Sequence, residues 1–223
     1  MTWRNRAIMA ETRLEAAHQF DDLDQQHDAN VLGMWVFLAS EVLFFGGCFA
    51  GFTIYRSIYP EAFGQASRHL DVLLGTINTV LLLTSSFTMT LALHSARAGA
   101  RKALVGFLLV TLALGTVFLI IKGAEYHHKF EDHLVPGRDF QFPGSRLRET
   151  QLFFSFYFVM TGMHALHMLV GIALLVALVA RAWRAHFSRV SHAAVEMTSL
   201  YWHFVDIVWI FLFPLLYLIG GLR

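Results

Sequence analysis

Tyr201-Trp202-His203-Phe204-Val205-Asp206-Ile207-Val208-Trp209-Ile210-Phe211-Leu212-Phe213-Pro214 is the stretch whose reading decides the fold. It belongs to a run apolar enough to cross a membrane, yet it carries a histidine and an aspartate. At three residues' spacing they stand one above the other on a helix face. Glu196 and Ser199 precede them at intervals of 3 and 4, so all four polar groups share that face. Ionisable groups at such depth are costly and must face protein, lipid headgroups or water.

Working outward, the chain has 223 residues, 56% of them hydrophobic and 15% charged, with a mean hydropathy of +0.53. Five runs reach membrane length, at about 31–55, 71–95, 103–124, 151–181 and 195–219. The expected fold is all-α: a polytopic membrane protein, with one five-helix transmembrane domain over 31–219. Residues 1–30 form a polar segment with six acidic side chains between Glu11 and Asp28. That is no secretory signal, so the first span is expected to target the chain to the membrane. A net charge of +1 gives no footprint for nucleic acid. The single cysteine, Cys48, cannot form an internal disulfide and reads as a small packing residue.

Basic residues in the short loops set the orientation. Arg97, Arg101 and Lys102 lie between spans two and three, and Arg181, Arg184 and Arg189 between spans four and five. Both loops fall on the side of residues 1–30, which predicts a cytoplasmic N-terminus and a periplasmic C-terminus. Asp28 or Asn30 is the expected N-cap of the first span. Gly47 and Gly51 form a GxxxG pattern that would let another helix approach closely. Asn78 in span two is expected to bond to a neighbouring helix. Lys122, Glu125, Tyr126 and His127 read as the interfacial end of span three.

By depth along their helices, Glu41, His167 and His203 can share one layer, with His164 one turn from His167. A carboxylate near a histidine suggests a buried pair, Glu41 with His203, and two readings of it stand. It locks helices together, or it handles protons. Haem ligation by His164 or His167 with His203, and copper or zinc at His127, His128 and His133, are the weaker metal readings. Trp35, Trp183 and Trp202 lie near the expected inner ends of their spans, where an aromatic belt or a lipid-headgroup site would form. No nucleophile motif or phosphate loop appears, so the chain is not expected to be catalytic alone.

Four segments carry more than this. Gly33-Met34-Trp35-Val36-Phe37-Leu38-Ala39-Ser40-Glu41-Val42-Leu43-Phe44-Phe45, then Asn78-Thr79 with Leu82-Leu83-Thr84-Ser85-Ser86, then Phe154 to Gly171, and finally Tyr201 to Trp209, resemble the successive motifs of subunit III of haem-copper oxidases. The resemblance implies a non-catalytic accessory subunit of a bacterial terminal oxidase, one that reduces oxygen to water and pumps protons. It implies haem and copper in partner subunits and none in this chain. It also implies direct contact with subunit I, with subunit II and small subunits nearby, and phospholipid between helices. Such a subunit would protect the proton-uptake side and long-term turnover. By motif match, Glu41 is the family's buried carboxylate, and His203 and Asp206 belong to its terminal polar face. The chain resembles the short five-helix form, so a partner would supply the other wall of a lipid cleft. A quinol-oxidase subunit III and an accessory subunit of a nitric oxide reductase are the related alternatives. A small transporter or proton channel, and a free-standing cytochrome b, are the unrelated ones.

Overall fold

Helix-forming apolar runs dominate the chain, and the computed structural model is all-helical over the residues it describes: 23–143, 146–184 and 189–218. Residues 1–22 of the acidic N-terminal segment lie outside them, as do residues 185–188 of the loop used for orientation. Six helices follow in order: α1 Leu23–Ile58, α2 Pro60–Ser67, α3 Val72–Arg97, α4 Arg101–Glu131, α5 Leu147–Arg184 and α6 Arg189–Tyr217. Five of them, all but α2, are long and apolar enough to cross a membrane.

The helices run past the apolar stretches that announced them. α1 begins at Leu23, so Asp28 and Asn30 sit inside it rather than capping it. The region 56–70, expected as a loop, holds α2, with Pro60 at its first turn. Asp71 caps α3 through a 3.0 Å bond from the Leu74 amide. Hydroxyls inside α3 bond back to their own helix, as in Thr76 to the Val72 carbonyl at 2.7 Å and Thr84 to the Val80 carbonyl at 2.8 Å. That satisfies them without a partner helix. Gly99, at φ 70, turns the chain from α3 into α4.

α3, α4, α5 and α6 close a four-helix ring in which each contacts its two neighbours. α1 lies outside on α5 and α6, and α2 bridges α1 and α5. α1 is the least covered span: 11% of its most apolar stretch is buried by the rest of the chain. The core is aromatic. Trp202, Trp209, Tyr157, Tyr217, Phe118, Phe153 and Phe154 are fully buried.

Close approach occurs at glycines, though not where GxxxG suggested. A Cβ at Gly47 would meet nothing within 4 Å, and one at Gly51 would touch the Phe156 ring at 3.4 Å. The tight positions are Gly75, Gly115 and Gly171. A Cβ there would stand 2.6 Å from Phe213, 2.7 Å from Trp202 and 2.9 Å from Trp202, respectively. The approaching groups are rings from α6 rather than a helix backbone, which a search for paired glycines cannot find.

Candidate functional site

Glu41, on α1, meets His167 of α5, not His203: Oε2 lies 3.2 Å from Nε2. The His167 Nδ1 lies 2.8 Å from the Met163 carbonyl, which can only accept, so Nδ1 carries a proton there. The Tyr201 hydroxyl donates to the His167 carbonyl at 2.9 Å, and the Tyr201 ring stacks on the imidazole. The three helices α1, α5 and α6 thus meet at this pair.

His203 turns the other way, onto α3. Its Nδ1 is 2.7 Å from Ser86 Oγ and its Nε2 3.4 Å from Thr90 Oγ1. The polar face of α6 read from the sequence therefore lies along α3. Glu196 pairs with Arg97 at 3.0 Å near one end. Trp209 Nε1 donates to Thr79 Oγ1 at 3.1 Å towards the other. Asp206 is buried beside Ser86, whose hydroxyl His203 already engages, and neither carboxyl oxygen forms a hydrogen bond among the described residues. Asn78 is also fully buried on α3, but its amide makes no hydrogen bond there, against the expectation of an interhelix bond. His164 points inward from α5, edge-on to Phe118 and tilted over Trp209, with both ring nitrogens unbonded among the described residues. The three histidines of the haem reading thus have three different surroundings, and no group of three His, Cys, Asp or Glu able to hold a metal forms among the described residues.

The tryptophans divide. Trp35 and Trp183 are 58% and 68% exposed, as side chains facing lipid or a partner would be. Trp202 is 0% exposed. Its indole N–H donates to Ser85 Oγ at 3.1 Å, and its ring lies between Gly115 of α4 and Gly171 of α5. Its interfacial reading is corrected: it is the core's central side chain, drawn in because two glycines leave room for an indole.

The sequence reading also missed a cluster. Lys122 and Glu125 do not end their helix, which runs on to Glu131. They are buried in α4 as an ion pair at 3.0 Å, joined by the hydroxyls of Tyr157 and Tyr217. The available signal was a Lys and a Glu at i and i+3 on a membrane-length helix, with tyrosines late in α6 and early in α5.

Residues 1–221 match the sequence profile of the family described as Cytochrome c oxidase subunit III. The chain belongs to that family. Among its relatives, Cytochrome c oxidase subunit 3 of Synechocystis sp. is 36% identical over 196 residues, covering 86% of this chain and 76% of that protein. Cytochrome bo(3) ubiquinol oxidase subunit 3 of Pseudomonas aeruginosa is 31% identical over 214 residues, covering 94% of this chain and 96% of that protein. Quinol oxidase subunit 3 of Bacillus subtilis is 34% identical over 192 residues, covering 86% and 87%. This subunit III chain is thus a membrane protein of the accessory class associated with haem-copper oxidases, related to members named for both donors.

Proposed function

We propose that this chain is the non-catalytic subunit III of a bacterial haem-copper terminal oxidase, seated in the cytoplasmic membrane with its N-terminus inside and its C-terminus in the periplasm. Haem and copper reside in its partners, and its own part is to cover subunit I and sustain turnover on the proton-uptake side. The observation that carries this reading is the family match over residues 1–221. The fold supports it. The Glu41–His167 and Lys122–Glu125 pairs are closed within the chain, whereas α1 presents Leu32, Val36, Leu43 and Ile54 outward as a surface for subunit I or lipid. A groove of about 420 Å³ between α1 and α6, walled by Trp35, Phe45, Phe49, Phe204 and Phe211, fits an acyl chain of a phospholipid. Donor choice belongs to other subunits, since relatives of both the c-type and the quinol oxidases align with this chain to a similar extent.

A mild-detergent pull-down of the tagged chain from its native membrane tests this. Stoichiometric recovery of a copper-containing subunit I with subunit II is the expected result. Recovery of a nitric oxide reductase, or of the chain alone, overturns it.

A further inference from the structure

The buried cluster around Lys122 has no part in that role, and its geometry is specific. Lys122 Nζ donates to Glu125 Oε2 at 3.0 Å, Tyr217 Oη at 2.8 Å and Tyr157 Oη at 3.3 Å. The two phenols donate in turn to Glu125 Oε1, at 2.6 Å from Tyr217 and 2.9 Å from Tyr157. Both carboxylate oxygens are thereby engaged, and the phenol lone pairs are left for the ammonium. Four ring centroids surround Nζ, those of Tyr157 at 5.1 Å, Trp209 at 5.2 Å, Tyr217 at 5.4 Å and Tyr126 at 5.6 Å.

An ion pair at i and i+3 on one helix requires none of these rings, and three of the four come from α5 and α6. Two phenol oxygens and one carboxylate that accept from Nζ, with the Trp209 and Tyr126 rings within 6 Å of it, make the chemistry that recognises an alkylammonium. We infer that the junction of α4, α5 and α6 is an alkylammonium-binding cage, occupied from within by the side chain of Lys122. Glu125 also lines an open polar recess of about 430 Å³ with Arg68, His69, His128, Lys129 and Asp132.

Truncating Lys122 to alanine removes Cγ, Cδ, Cε and Nζ, the atoms of n-propylammonium. The full chain, in its detergent-solubilised assembly, is heated, and the temperature at which half of it is lost from solution is recorded. Lys122→Ala is expected to lower that temperature on the order of 10 °C, because the buried carboxylate loses its counter-charge and keeps only the two phenols. n-Propylammonium chloride is expected to restore at least half of the loss, and sodium chloride or n-propanol none of it. Equal restoration by n-propanol would reduce the cage to a void to be filled, and no restoration by any additive would overturn the inference. Lys122→Met, which keeps the volume but not the charge, is expected to stay low and unresponsive; stability equal to the parent's would also overturn it. Where Lys122→Ala does not accumulate, the same variant is grown with propylammonium in the medium. Recovery supports the cage, and continued loss refutes it.

Discussion

Glu41 and His167, 126 positions apart, meet at 3.2 Å between α1 and α5. This pair ties the most exposed span to the four-helix ring. Both side chains are partly accessible, so the coupling is expected to be modest, roughly 1 kcal/mol. A double-mutant cycle of Glu41→Ala and His167→Ala, read by proteolysis or amide exchange in α1, measures it. Strictly additive effects would show that the two groups act independently. Glu41→Ala is expected to leave assembly largely intact and to shorten the turnover lifetime of the oxidase. A normal lifetime in the assembled mutant would count against any role of Glu41 beyond anchoring.

Trp202 leaves no room for a methyl group at Gly115 or Gly171. Gly115→Ala and Gly171→Ala should each cost roughly 1–3 kcal/mol through overpacking. Replacing Trp202 by Phe in the Gly115→Ala background is expected to return part of that loss, seen as a rise in the thermal midpoint. A second substitution that only adds to the damage would refute the contact.

The two glycines of the GxxxG pattern should behave differently. Gly47→Leu enters open space and is expected to leave the fold of the chain unchanged, whereas Gly51→Leu drives a side chain into Phe156 and should cost about 1–3 kcal/mol. Native-gel assembly separates fold from docking. A Gly47→Leu chain that folds but no longer joins its partners would mark that face as the seat of another subunit.

Arg101 closes the other end of the ring. Its guanidinium donates from Nε to the Ala182 carbonyl at 2.7 Å and from Nη2 to the Trp183 carbonyl, in the turn of α5 around Ala182. Arg101→Ala should destabilise that turn by about 1–3 kcal/mol. Amide exchange in residues 178–183 should rise by about tenfold or more, with exchange in the middle of α5 unchanged.

The spans were legible because twenty apolar residues have few other uses, and the family because its motifs recur in order. What the sequence concealed lay in the directions of side chains. Glu41 had two histidines at reachable depth, and only the rotation of α5 and α6 decided that His167 faces it while His203 faces Ser86. Trp202 stands where belt tryptophans stand, and nothing local reveals that glycines on two other helices make a slot for it. Lys122 and Glu125 looked like a helix end because charges usually are one. Their burial depends on Tyr157 and Tyr217, which come from helices far along the chain.

α6 follows α3, α4 and α5 in the chain, yet it supplies Trp202, Trp209 and Tyr217 to all of them. During synthesis the earlier spans enter the membrane with Ser85, Thr79 and Glu125 still lacking these partners. The ring therefore stays unfinished until α6 arrives, and a chain cut short before it would keep an empty slot between Gly115 and Gly171 where the Trp202 indole belongs.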